Sequence, residues 1–290
     1  KQIDASHHCI AVAMDINSTN EILISGRWFG TADFDPGVGV SNLTASGTGW
    51  DIYILKLTSS GNFVWVSAIR GSDTNYTQGL AVDLNDNVLI SGYYYDVIDL
   101  DPGPGTVNYT AAPNQEDMFL VKLNNNGAYV WGQNYPSAMA TEIANSIYID
   151  SNNDYYFGGW FSSALDFDAG PGNATLTPNG GTGADCFLLK LNSSGTFQWV
   201  NQMGGTGDDE VMSITGNNQG DILVGGTFQL TADFDPGPGI DNYTSIGIKD
   251  IFIQKVSSSG TYYWAVTMGG TGNEYLNSIA AGTNGDILST

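Results

Sequence analysis

The residues best placed to do chemistry are pairs of aspartates. Four times the chain carries D-x-D followed by Pro or Ala and then Gly: ADFDPGVG (32–39), IDLDPGPG (98–105), LDFDAGPG (165–172) and ADFDPGPG (232–239). Side chains at i and i+2 of an extended segment project to one side. Asp33 with Asp35, Asp99 with Asp101, Asp166 with Asp168, and Asp233 with Asp235 therefore each present two carboxylates together. The glycines let the backbone curl so that carbonyls can join them, and such a set of hard oxygen donors suits Ca2+. The pattern departs from D-x-[DN]-x-[DN]-G calcium loops, because the third acidic ligand and the distal Glu are missing. Further oxygens are expected from Asp51, Asp117, Asp185 and Asp250, which recur in step at the head of the next strand. The competing reading is that the D-x-D aspartates form Asx-turns that merely shape the loop. A second acidic series, Glu142, Asp209 and Glu274, with Asn75 in the matching place, carries a weaker metal reading and is expected on a channel or loop face.

The elements that must position these groups repeat about every 67 residues. Each copy has a period-2 strand, DIYILKL (51–57), DMFLVKL (117–123), DCFLLKL (185–191) or DIFIQKV (250–256). A Gly turn and an aromatic strand ending in Trp65, Trp131, Trp199 or Trp264 follow. Next comes a hairpin with Asn, Asp or Gly at its centre, as in LAVDLNDNVLISG (80–92). Four short strands per copy and no amphipathic helical stretch predict an all-β fold, a β-propeller of four-stranded blades. Residues 1–290 read as a single propeller domain or a fragment of one. Four full repeats plus a partial one, with Ser25 aligning on Thr290, suggest at least five blades in the parent protein. The repeated Lys56, Lys122, Lys190 and Lys255 are expected to cap strand ends or meet the acidic loops.

Composition narrows the function. With 30 acidic residues against 8 basic ones, the formal charge of −22 argues against nucleic acid or an anionic membrane as partner. No run approaches a membrane span. No signal peptide opens the chain, so Lys1 reads as the start of a mature or excised segment. The two cysteines, Cys9 and Cys186, occupy different repeat positions, and Cys186 reads as a small buried hydrophobe. His7 and His8 read as solvated loop residues, and Arg27 and Arg70 are too few for a sialidase-like arginine cluster. Identical carboxylate pairs in every blade suit a structural or metal role, so the chain is expected not to be an enzyme.

A ligand surface is sought where the copies differ on a fixed frame. The second residue after the strand-terminal Gly is always aromatic (Trp28, Tyr94, Phe161, Phe228) and is expected in the core. The residue before it varies: Arg27, Tyr93, Trp160, Thr227. By strand alternation it faces the other way, with glycan stacking on Tyr93 or Trp160 as one use.

In its D-x-F-x-x-K-L strand, S-G turn, aliphatic strand ending in Gly and D-F-D-P-G-P-G loop, the chain resembles the bacterial SBBP β-propeller repeat family over nearly its whole length. Its D-F-D-P-G loops are longer than those the family usually carries. The resemblance implies a repeat protein of the extracellular space or bacterial cell surface and supplies no catalytic residues. The resulting expectation is a secreted, calcium-stabilised, non-catalytic interaction or adhesion module. Its partners would be surface glycans or other extracellular proteins, without membrane insertion. The alternatives are a structural spacer or surface-layer component, and less readily a carbohydrate-active enzyme or lectin.

Overall fold

Alternating apolar residues and Gly- or Asn-centred turns give this chain strands and little else. The computed structural model describes residues 3–5, 8–47, 49–137, 141–180, 183–282 and 284–290, and no helix occurs among them. His7 lies outside the described residues. The chain divides into two compact units, Lys1–Met139 and Ala140–Thr290.

The first unit holds two four-stranded antiparallel meanders. Blade 1 runs through His8–Ile16, Ile22–Phe29, Asp51–Leu57 and Phe63–Gly71. Blade 2 runs through Asn75–Val82, Val88–Tyr95, Glu116–Leu123 and Tyr129–Tyr135. The second unit repeats the plan. Blade 3 uses Glu142–Ile149, Tyr155–Phe161, Asp185–Leu191 and Phe197–Gly205. Blade 4 uses Glu210–Gly216, Ile222–Phe228, Asp250–Val256 and Tyr262–Met268, and a hairpin of Ile279–Ala281 with Ile287–Ser289 follows.

Period-2 alternation gives each blade two apolar faces. In the first unit Ile52, Ile54 and Ile69 of blade 1 pack with Leu80, Val88, Ile90 and Phe119 of blade 2. In the second, Cys186, Leu188 and Met203 of blade 3 pack with Val211, Ile214, Val224 and Phe252 of blade 4. Both cysteines are free thiols, and Cys186 is fully buried.

The repeat anchors resolve into a latch between blades. Trp65 Nε1 donates to the Asn125 carbonyl at 3.1 Å, and Ser67 Oγ donates to the Gly127 carbonyl at 3.0 Å, both on the Gly turn of the next blade. Lys56 Nζ bonds the Asn125 side chain and carbonyl as well. In the second unit Lys190 Nζ donates to the Ser258 carbonyl at 3.0 Å, and the Trp199 ring lies against Gly260.

Each repeat lysine also meets an acid at the hairpin between the first two strands of its own blade. The pairs are Lys56–Glu21 (2.6 Å), Lys122–Asp83 (2.8 Å), Lys190–Asp154 (2.9 Å) and Lys255–Asp221 (2.7 Å). The partner is therefore a turn residue and not the D-x-D loop, because Lys lies directly across from the hairpin strand (Leu23↔Lys56, Leu89↔Lys122).

Candidate functional site

The D-x-D segments form short hairpins between the second and third strands of each blade, such as Thr31–Asp33 with Asn42–Thr44. The middle residue anchors them. Phe34, Leu100, Phe167 and Phe234 are all fully buried. Phe34 meets Trp28 and Tyr53, Phe167 meets Phe161 and Phe187, and Phe234 meets Phe228 and Phe252. With the middle side chain turned inward, alternation places both flanking carboxylates on the other side.

All four loops then close identically. Oδ1 of the first Asp accepts the N–H of the second Asp and of a residue eight positions on. For Asp33 these are Asp35 at 3.0 Å and Ser41 at 2.8 Å. Asp99, Asp166 and Asp233 repeat the pattern. Oδ1 of the second Asp (Asp35, Asp101, Asp168, Asp235) accepts the N–H of the Gly two residues later, at 2.7–2.9 Å. Gly39, Gly105, Gly172 and Gly239 close over the other oxygen so tightly that a Cβ there would fall 2.0–2.2 Å from it. One oxygen of every D-x-D carboxylate is thus a loop-shaping acceptor, as in an Asx-turn.

The strand-head aspartates do not join them. Among the described residues no group of three or more Asp, Glu, His or Cys side chains gathers as a metal-ligating set. Asp51, Asp117, Asp185 and Asp250 are buried at the strand heads, where they accept backbone amides instead. Asp51 Oδ2 takes the Ser46 N–H at 2.6 Å, Asp117 Oδ1 that of Ser137 at 3.3 Å, Asp185 Oδ2 that of Asn179 at 2.9 Å, and Asp250 Oδ2 that of Ile246 at 2.9 Å. Burial pushes Asp51 and Asp117 above the usual carboxylate range, and Asp185 up to about 6, against the hydrogen bonds they accept.

The second acidic series is also placed differently from the expectation of a channel or loop face. Glu142 and Asp209 are almost wholly buried. Burial pushes Asp209 up to about 8. The Gln229 and Gly205 amides oppose that rise, while the Asp185 and Asp208 carboxylates add to it.

The surface candidates divide. Arg27 and Tyr93 come together in the first unit. The Arg27 guanidinium lies 4.4 Å from the Tyr76 ring centroid and 5.1 Å from that of Trp50. Tyr93 stacks on Tyr76 at 4.5 Å and meets Tyr95 edge-on, while His8 stacks on Trp50 at 5.9 Å. Tyr95 donates its hydroxyl to Glu116. Burial raises the Tyr93 phenol to about 12, helped by Tyr76 and Glu116 and opposed by Arg27. Arg27, Trp50, Tyr76, Tyr93 and Tyr95 are all half-buried. Trp160 is half-buried in the second unit. Thr227 is only 2% exposed, so it drops out as a surface residue; it lies between Glu210 and Ile251 in the ladder of blade 4.

Sequence reasoning missed Trp50, Tyr76 and Tyr95. Trp50 had a signal of its own, since the same position carries Glu116, Ala184 and Lys249 in the other copies. Tyr76 lay inside Asn75-Tyr76-Thr77, which matches a glycosylation triplet, yet Asn75 is fully buried and donates to Trp50 O and Asp51 Oδ1.

No family model matches the chain. Over 309 residues it is 28% identical to an uncharacterized WD repeat-containing protein of Acanthamoeba polyphaga mimivirus, taking in 88% of this chain and 22% of that protein. Four-stranded meanders repeating in register, together with a WD-repeat relative, decide the architecture. The blades are those of a β-propeller. The chain is also 25% identical over 300 residues to the regulatory protein FlaEY of Caulobacter vibrioides, covering 95% of this chain and 28% of FlaEY. The chain therefore spans less than a third of the length of these curated relatives. Among solved structures, a Bacteroides caccae protein of unknown function aligns with a TM-score of 0.35 and 11% identity, over 90% of this chain and 82% of that one. The extracellular domain of a putative hybrid two-component system from B. thetaiotaomicron aligns with a TM-score of 0.19 and 13% identity, over 96% and 46%.

Proposed function

We propose that this propeller is a non-catalytic interaction module of a bacterial cell-surface or secreted protein of SBBP-like repeats, and that it binds carbohydrate through the Arg27–Tyr93 cluster. The observation that carries this reading is the Arg27 guanidinium within 4.4 Å of the Tyr76 ring centroid and 5.1 Å of that of Trp50, a cluster extended by Tyr93 and Tyr95. Half-buried aromatic rings offer flat apolar surfaces for sugar C–H groups, and the guanidinium offers a fork of donors for hydroxyls or carboxylates. These residues stand where the copies differ on a common frame, which suits recognition better than a repeated structural task. The D-x-D carboxylates repeat without variation, which favours a shape-giving or metal role over acid–base catalysis. Calcium at these loops, through the carboxylate oxygens that face away from the loop amides, belongs to the same proposal.

A glycan array tests the carbohydrate reading. The wild-type chain should bind a subset of glycans, and Tyr93→Ala and Arg27→Ala should each lower affinity about tenfold or more, the equivalent of about 1.4 kcal/mol. Trp160→Ala, in the second unit, should leave that binding unchanged. Silence of the wild type across the array would favour a spacer or protein-binding role. EGTA provides a separate check on calcium, which should raise the unfolding temperature when it is restored.

A further inference from the structure

The strand-head aspartates and the second acidic series meet at a position that the repeat allows to be compared blade by blade. In blade 1, Asp51 Oδ1 accepts the Gly71 N–H at 3.1 Å and the Asn75 side-chain amide at 3.3 Å. Arg70 adds a Coulombic attraction to the same carboxylate. In blade 3 the corresponding residues are Asp185, Gly204, Gly205 and Asp209. The arginine has become a glycine, and the amide a carboxylate. The Gly205 N–H now goes to Asp209 Oδ2 at 2.8 Å. Asp185 Oδ1, on a residue with 0% exposure, is left without a hydrogen-bond partner.

Both oxygens lie against Gly204. A Cβ built on Gly204 would stand 2.7 Å from Asp185 Oδ1 and 2.8 Å from Asp209 Oδ2. The other oxygens are already used. Asp185 Oδ2 accepts Asn179 N–H at 2.9 Å and Gln202 Nε2 at 2.6 Å, and Asp209 Oδ1 accepts Gln229 N–H at 3.1 Å. Two facing carboxylates removed from water must either share a proton or have a positive charge beside them. The chain has none to spare there. From Ala140 to Thr290 it carries 16 acidic residues and three basic ones, Lys190, Lys249 and Lys255. Each of the three is paired elsewhere, with Asp154, Glu210 and Asp221.

We propose that a calcium ion binds between Asp185 and Asp209, supplying the positive charge that Arg70 supplies in blade 1, where the partner is the neutral Asn75 amide, and so fastens blade 4 to blade 3. The donor set is oxygen only, which selects a hard cation, and Ca2+ tolerates an irregular shell completed by water. The next position repeats the substitution. Gly269 replaces the arginine, Glu274 replaces the amide and takes the Gly270 N–H at 3.1 Å, and the buried Asp250 Oδ1 has no hydrogen-bond partner. This second instance is more open, since Glu274 is only half-buried. The site shares no residue with the D-x-D loops or the aromatic cluster, and it stands whether or not the chain binds carbohydrate.

Calorimetric titration of the chelator-treated full chain with CaCl2, paired with thermal unfolding, tests it. Wild type should bind calcium and gain roughly 5–10 °C in unfolding midpoint at about a hundredfold excess over Kd. Asp209→Asn installs the amide of blade 1, so it should fold, lose one calcium equivalent and lose part of the shift. Glu274→Gln should remove a second equivalent, while Asp233→Asn, in a D-x-D loop, should leave both of these in place. The inference is overturned if Asp209→Asn binds as many equivalents as wild type. It is equally overturned if wild type ignores calcium, and a gain in stability on acidification from about pH 8 to about pH 5 would then show that a shared proton holds the pair. Loss of calcium binding in Asp233→Asn alone would place the metal in the loops instead.

Discussion

Lys122→Met is expected to destabilise the first unit by about 3–5 kcal/mol at neutral pH, the usual cost of leaving a buried charge without its partner. The Lys122–Asp83 pair, 2.8 Å apart, is the most deeply buried of the repeat's ion pairs, with side-chain exposures of 8% and 0%. Methionine keeps most of the stem's volume, so the loss is mainly electrostatic. Burial by itself raises the Asp83 carboxyl. The Lys122 ammonium outweighs that effect, together with the Asn87 side chain and the Asn87 and Asn85 amides, and holds the group down to about 2. A carboxyl lowered on folding contributes stability above its unfolded value near 3.8, and that contribution is lost as the pH falls towards 2. In the variant the sign reverses. Without the ammonium, burial favours the protonated form, so the deficit should be largest at pH 7 and shrink as the pH drops. Urea unfolding of both proteins at a series of pH values reads this directly. A deficit that stays constant with pH would mean that packing, and not charge, makes the pair matter.

Gly159→Ala should cost about 3 kcal/mol or more and sharply reduce the yield of folded protein. The glycine lies inside the second strand of blade 3, Tyr155–Phe161, opposite a bulge where the register shifts between Ala144 and Ser146. A bulge pushes the partner strand's backbone inward, and here the Ile143 carbonyl would lie 1.7 Å from an added Cβ. Backbone cannot swing aside as a side chain can. The same arrangement recurs at Gly26, Gly92 and Gly226, where the obstructing atoms are the carbonyls of Ile10, Tyr76 and Glu210. Gly272→Ala is the control. Its nearest neighbour is the end of the Glu274 side chain at 3.6 Å, so the change should stay within about 0.5 kcal/mol. Equal melting temperatures for the two variants would mean that the bulge can relax.

Both predictions rest on positions that are plain in the sequence but whose reasons are not. A lysine before the last residue of each third strand is visible as a repeat. Its partner is not, because Glu21, Asp83, Asp154 and Asp221 sit at the hairpin turns and differ in type and offset. The repeated glycines of the second strands are equally visible, while the clash they avoid depends on a bulge in the neighbouring strand.

The amino-acid sequence alone determined the blade. Period-2 runs, Gly and Asn turns and the 67-residue spacing are local properties, and local sterics and alternation suffice to convert them into four-stranded meanders. Alternation also placed Trp28, Tyr94, Phe161 and Phe228 inside and set both carboxylates of each D-x-D on one side. What only the tertiary structure decided is which residues from different strands and blades share a space. It tied the D-x-D oxygens to their own loop amides and kept the strand-head aspartates apart from them. It gathered Arg27, Tyr76 and Tyr93 from three strands with Trp50 from a loop and set Asp185 against Asp209 across 24 residues of chain. The physical reason is that burial and charge pairing depend on distances through space, and a repeat pattern specifies those distances only within one blade.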